Sequence, residues 1–494
     1  MKILTLALAF IWITTANAAN LLSARPGGRF VSDQNSLNEL RLSKHYRTTV
    51  PLADGATADV VLIRFSPWKN TRIEIHSTNG VRSASPPNTH YYRGTAVDDP
   101  EARVFLAVSE KSVRGVIAKN GKLFRFGPSQ RDGDEHVAAQ VDLAPLADYT
   151  PQPPLLSPEP PISGLVAEPL VGPLRADIAI ETDYELWSHF GSDDATLVYL
   201  GDLIAAASAI YERDTQVSLN LSYVRIWSTP SDPWTGTTTG AALTELYTYW
   251  RNAANGLTTV RRATVHFVSA KPLGGGLAYL GTLCQAYGYG VSQVYGSFNL
   301  LDPSRIWDVL VVSHEIGHNF SSPHTHCYVP PVDMCYNLES GCYNGPVVTS
   351  RGTIMGYCHL RGGVSNVSLE FGGVVAGRIR QGAENAGCLT RLNPTTTTIT
   401  STTTITTTTT TSTSTTTTRL TTTTTSTSPT TTTTAPTTST STTVTAPTST
   451  TSSTIPPPPP PACKPKGERC KKADECCSQK CRRKPPIVGK KKCR

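Results

Sequence analysis

His314-Glu315-Ile316-Gly317-His318-Asn319-Phe320-Ser321-Ser322-Pro323-His324 sets three imidazoles and one carboxylate at the spacing a catalytic metal requires. On a helix, residues four apart share a face, so His314 and His318 can aim two ring nitrogens at one point. Glu315 follows the first ligand and stands where it can take a proton from a metal-activated water without ligating. Three protein ligands leave one tetrahedral position open, the mark of a catalytic rather than a structural zinc. Run on as helix, residue 324 would lie about 9 Å beyond residue 318 along the axis. Pro323 prevents this, because it disfavours the α conformation at Ser322 and cannot extend the helix. The chain is therefore expected to turn beneath the metal and return His324 as third ligand.

The run resembles the extended zinc motif of metzincin metalloproteases, H-E-x-x-H-x-x-G-x-x-H. The wording H-E-I-G-H-N-F is closest to the adamalysin (reprolysin) branch. The resemblance implies one catalytic Zn2+ held by His314, His318 and His324, with Glu315 as general base. It implies hydrolysis of peptide bonds through a zinc-activated water. Two positions depart from the pattern. Ser321 stands where the family has Gly, at a cost of roughly 1 kcal/mol if φ is positive. Thr325 replaces the Asp that often follows the third His. His326 is expected beside the site without ligating. A structural Ca2+ has no support in the sequence.

Thr353-Ile354-Met355-Gly356-Tyr357-Cys358 resembles the Met turn of the same proteases, which places Met355 beneath the zinc as an apolar floor. Tyr357 is a candidate transition-state stabiliser, set against a plain packing role. Leu277, Ala278, Tyr279 and Leu280 match the family's edge strand, on which an extended substrate adds as a further strand.

From residue 175 onward, strand patterns alternate with helical ones: a strand over 177–181, a helix over 194–213 and a strand over 217–227. A helix follows over 241–254, then strands over 264–268 and 276–281, the zinc helix over 307–320 and a closing helix over 374–386. The fold class read from this is an α/β catalytic domain with a mixed twisted sheet. Residues 19–174 read as a β-rich domain that resembles a reprolysin propeptide, ending in a Pro-rich hinge. No Cys precedes position 284, so a thiolate switch on the zinc cannot operate. Latency is expected from steric occlusion, or from an Asp or other side chain on the metal.

Residues 1–18 read as a secretory signal, with Lys2, an apolar run and an Ala16-Asn17-Ala18 cleavage site. No later stretch reaches the roughly 18 apolar residues of a membrane span. A secreted, extracellular protein is expected. The twelve cysteines fall into two even sets, as an oxidising compartment allows. Spacing leaves fifteen pairings open in each set. The adamalysin resemblance implies Cys284–Cys388, Cys327–Cys358 and Cys335–Cys342 for the first. Asn220 and Asn366 head N-glycosylation sequons. Asn319 also fits the sequon but sits in the zinc helix and is expected unmodified.

Residues 395–462 form a Thr/Ser/Pro tract that cannot bury a core. It reads as a mucin-like stalk able to extend on the order of 150–200 Å. The tail, 463–494, has the spacing C-x6-C-x5-C-C-x3-C-x11-C, which resembles a cystine knot (knottin). That resemblance implies Cys463–Cys477, Cys470–Cys481 and Cys476–Cys493. The tail holds 13 Lys/Arg against 3 Asp/Glu; with the whole chain at +8, everything before it sums to −2. The basicity points to anionic glycans, cell walls or membrane surfaces as partners of the tail, beside protein or peptide substrates of the enzyme, and to no specific nucleic acid. The competing reading is a surface-binding or toxin-like secreted protein whose basic knottin is the effector.

Overall fold

The computed structural model describes residues 22–25, 29–110, 112–120, 122–128, 135–141, 154–156, 172–298, 305–392, 481–482 and 492–493. The expected signal sequence, most of the hinge and the stalk lie outside them. The chain divides into two compact units, Met1–Ser401 and Thr402–Arg494.

In chain order the first unit runs β1 (Leu22–Arg25), β2 (Arg29–Ser32), α1 (Gln34–Leu42), β3 (His45–Pro51), β4 (Thr57–Phe65), β5 (Arg72–Ser77) and β6 (Gly80–Ala84). Next come β7 (His90–Ala96), β8 (Arg103–Val108), β9 (Val113–Lys119), β10 (Lys122–Pro128), β11 (Glu135–Val141) and β12 (Leu155–Leu156). The part after residue 172 holds β13 (Leu174–Thr182), α2 (Tyr184–Phe190), α3 (Asp193–Thr215), β14 (Val217–Trp227) and α4 (Thr239–Arg251). It continues with β15 (Thr264–Ser269), β16 (Gly276–Leu280), β17 (Tyr289–Gln293), α5 (Trp307–Asn319), β18 (Gly352–Thr353), β19 (Val367–Ser368), α6 (Gly372–Glu384) and β20 (Thr390–Arg391).

The N-terminal sheet is antiparallel throughout, in the order β1-β2-β11-β10-β9-β8-β7-β4-β3. Alternation in β3 and β4 turns Val50, Val60 and Leu62 inward, where Leu37 and Leu40 of α1 join them. The second sheet runs β12-β16-β17-β15-β13-β14-β5-β6, with β20 beside β13. Strands β13, β14, β15 and β17 are mutually parallel and β16 is antiparallel to β17, so this is the mixed sheet expected. Its central strand β13 is buried on both faces, as helix-covered parallel strands are.

The expected boundary at 174 does not divide the sheets. The hairpin β5–β6 belongs by sequence to the N-terminal segment, yet β5 pairs parallel with β14, from Arg72↔Tyr223 to His76↔Trp227. Ile73 and Ile75 bury their side chains in the core of the second sheet. The alternating pattern of residues 72–77 announces a strand without saying which sheet receives it.

Helix α3 begins with Ser192, whose side chain accepts from the Ala195 N–H. By length and composition it is the one described helix that can cross a membrane, but its apolar residues sit in the protein core against β14, α5 and α6. It also carries the N-terminal sheet. Buried Asp202 accepts from the Tyr91 hydroxyl at 3.0 Å and pairs with Arg114 at 2.8 Å, and Arg93 pairs with Glu212. Tail strands β21 (Cys481–Arg482) and β22 (Lys492–Cys493) pair antiparallel, with Cys481 opposite Cys493. The expected bonds Cys463–Cys477, Cys470–Cys481 and Cys476–Cys493 depend on residues outside those described.

Candidate metal centre

Helix α5 is buried along its whole length. Asn319 fixes its C-terminal end. The Asn319 side-chain oxygen accepts from Thr264 at 2.6 Å, and its Nδ2 donates to the carbonyls of Tyr279 and Tyr289 at 2.9 and 3.0 Å. The zinc helix is thereby bonded to β15, β16 and β17. The helix stops where expected. Ser321 takes φ +76° and Ser322 N–H reaches back to the Gly317 carbonyl at 3.1 Å, a left-handed helix terminus built on a non-glycine residue. The turn delivers His324 to the other two imidazoles.

The three Nε2 atoms form a nearly equilateral triangle: 3.1 Å between His314 and His318, 3.2 Å between His318 and His324, and 3.1 Å between His314 and His324. Tetrahedral Zn–N bonds of about 2.05 Å place nitrogens about 3.3 Å apart, so the triangle fits that ion. The opposite ring nitrogens are engaged. His314 Nδ1 donates to the Ile354 carbonyl and His318 Nδ1 to the Ser322 carbonyl, both at 2.7 Å. His324 Nδ1 lies 2.7 Å from Glu339 Oε2. Carbonyls can only accept, so the protons of His314 and His318 sit on Nδ1 and their Nε2 lone pairs face inward. Converging lone pairs repel unless a cation sits between them. Burial pushes all three imidazoles below their ordinary range, which keeps them neutral, the form that ligates.

Glu315, next in sequence to His314, is buried, and burial pushes its carboxyl well above the ordinary range. Its carboxyl lies over the first residue of β16: a Cβ added to Gly276 would fall 2.3 Å from Oε1. Only glycine leaves that room. Met355 is fully buried beneath α5, and a Cβ on Gly317 would meet its sulfur at 2.6 Å. Tyr357 is buried among the rings, with its centroid 4.4 Å from that of His324 and 6.0 Å from that of His314.

Strand β16, carrying Leu277, Ala278, Tyr279 and Leu280, bonds β17 on one side. On its other side it meets β12 of the hinge, in parallel, with Leu155 opposite Tyr279 and Leu156 opposite Leu280.

The disulfides correct one expectation. Cys284–Cys388 is present, but the other four cysteines pair as Cys327–Cys342 and Cys335–Cys358, not as Cys327–Cys358 and Cys335–Cys342. The bonds interleave instead of nesting, because Tyr343 N–H donates to the His326 carbonyl and draws Cys342 onto Cys327. Cys335 is left beneath the Met turn, next to Cys358. Asn220 is a second correction. Its amide is buried and donates to Asp177 Oδ1 at 3.0 Å and the Lys69 carbonyl at 3.1 Å, so the folded chain offers no accessible nitrogen for a glycan. Asn366 is half-buried in a short turn. Glu339 was not anticipated: it lies fifteen residues beyond His324, at no motif spacing.

Residues 174–363 match the family model Reprolysin_5, described as metallo-peptidase family M12. Among solved structures, the crystal structure of metalloproteinase-II from Bacteroides fragilis is similar at 10% identity, with a TM-score of 0.35, over 60% of this chain and 86% of that one. No curated protein matches the chain. Peptidases of family M12 use zinc. The matched stretch contains the whole imidazole triangle, Glu315 and the Met355 turn, and it implies zinc-dependent peptidase activity.

Proposed function

We propose that the chain is a secreted zinc endopeptidase of adamalysin-like type, acting on extracellular proteins. The observation that carries this reading is the triangle of three buried Nε2 lone pairs, with Glu315 next in sequence to His314 and buried beside Gly276. His314, His318 and His324 would hold the ion, which would supply an acidified water and polarise the scissile carbonyl. Glu315 takes the proton as the water attacks and passes it to the leaving amine nitrogen. An extended substrate adds to β16, whose first residue, Gly276, lies directly beneath the Glu315 carboxyl. Met355 closes the floor of the site. The ring of Tyr357 stands beside His324 as a candidate stabiliser of the developing oxyanion. The N-terminal segment acts as a propeptide, and the basic tail docks the enzyme on anionic surfaces. The intact triangle favours the enzyme over a toxin-like protein with a dead protease fold.

The test is cleavage of a generic protein substrate by the processed chain. Activity should vanish with a chelator and return with added Zn2+. Processed, zinc-loaded protein that cleaves nothing would sink the reading.

A further inference from the structure

The three ligands are not held alike. His314 and His318 each donate Nδ1–H to a backbone carbonyl, that of Ile354 in the Met355 turn and that of Ser322 at the helix end. His324 alone faces a carboxylate, Oε2 of Glu339 at 2.7 Å. The same oxygen lies 2.8 Å from Nε2 of His326, a wholly buried imidazole outside the triangle. The rings of His324 and His326 are nearly parallel, 14° apart with centroids at 5.4 Å, so one oxygen between their edges reaches both N–H groups. The side chain of Glu339 is only 10% exposed.

The loop carrying Glu339 is stapled in place. Cys342 bonds Cys327, which follows His326 directly, and Cys342 N–H donates to the Glu339 carbonyl at 3.3 Å. Tyr343 N–H donates to the His326 carbonyl at 3.0 Å. The disulfide therefore closes a fifteen-residue loop whose inward carboxylate returns to the residues at its start.

We propose that Glu339 is the positioning residue for the third zinc ligand: its carboxylate fixes the ring of His324 with Nε2 inward and raises that nitrogen's donor strength, while His326 anchors the carboxylate from the far side. The inference rests on the zinc reading of the triangle. A charged acceptor on the remote nitrogen of an imidazole makes the ligating nitrogen more basic and locks its tautomer, and loss of such a partner typically weakens metal binding about 10- to 100-fold. His324 needs this more than its companions do, because it sits beyond the helix end.

The experiment measures zinc affinity of the full chain by competition with a chromophoric chelator, for the wild type, Glu339→Ala and Glu339→Gln. It adds the visible spectrum of the Co2+-substituted forms and the melting temperature of the metal-free forms. Glu339→Ala should bind zinc at least about 10-fold more weakly, with a perturbed cobalt spectrum, while its metal-free form melts somewhat lower for the lost hydrogen bonds but remains folded at the assay temperature. Glu339→Gln keeps one accepting oxygen without the charge, and should fall between wild type and Ala. Should the Ala variant fail to fold, the Gln variant decides alone. Variant affinities within twofold of wild type would overturn the inference while leaving the zinc reading intact. A wild-type chain that binds no zinc would overturn both.

Discussion

Leu155 lies opposite Tyr279 across a two-residue parallel ladder, on the side of β16 proposed to receive substrate. Part of that edge is thus occupied by the chain's own hinge. Both leucines are exposed, Leu156 at 76%, so the contact rests on backbone pairing more than on burial. Replacing Leu155 and Leu156 with proline removes two N–H donors. The uncut variant should hydrolyse a peptide substrate several-fold faster than the uncut wild type. Equal kcat/KM for the two would show that the hinge does not obstruct the edge.

Glu315→Ala should leave zinc content and fold intact and reduce turnover by a factor of about 10² or more. Gly276→Ala tests the same carboxyl from the other side. Its added methyl must displace Glu315, so kcat should fall about 10-fold or more without loss of zinc. Normal turnover in either variant, with metal analysis unchanged, would remove Glu315 from the proton path.

Peptide mapping under non-reducing conditions should recover Cys327 joined to Cys342 and Cys335 joined to Cys358. Recovery of Cys327 with Cys358 would restore the nested pattern and detach Glu339 from its staple.

Burial raises the Glu181 carboxyl to about 7, with Arg225 opposing; it accepts from the indoles of Trp227 and Trp250 at 2.8 Å each. Between its unfolded value of 4.5 and about 7 only the folded state holds this proton, so the stability that Glu181 contributes falls as pH rises through that window. Asp183, raised to about 6, acts in the same direction at lower pH. Glu339 is also desolvated, but hydrogen bonds from His324 and His326 bring it down to about 2; its opposite effect is confined below its unfolded value of 4.5. Buried His266, His314, His318, His324 and His359 are held below their unfolded value of 6.5 and so add stability as pH rises through it, against Glu181; only the difference in melting temperature between wild type and Glu181→Gln across about pH 6 to about pH 7.5 isolates Glu181. Over that interval the wild type should gain less stability, or lose more, than Glu181→Gln. An equal change in both would assign that titration elsewhere.

What could be read in the sequence was what short spacing determines. The offsets of His314, His318 and His324, with Pro323 as a stop, specify a converging set because helix geometry leaves few alternatives. Val217–Trp227 was legible to the residue, since its alternation is bounded on both sides. What escaped was set by contacts distant in the chain. The Cys327–Cys342 pairing follows a backbone bond from Tyr343 to His326, and Glu339 reaches its imidazoles across a loop with no periodicity. Ser321 was readable as a strained position, and φ +76° bears the strain out.

The hairpin of residues 72–84 decides what a cut in the Pro-rich hinge would do. Strand β5 is hydrogen-bonded along β14, and the Asn220 side chain joins the Lys69 backbone in both directions, accepting at 2.8 Å and donating at 3.1 Å. Severing the hinge breaks none of these bonds. The two fragments should migrate as one particle on gel filtration, and separating them would strip an outer layer from the protease sheet. Scission would make a nicked heterodimer, and release of the N-terminal piece would require a second event: dissociation, or destruction of that piece.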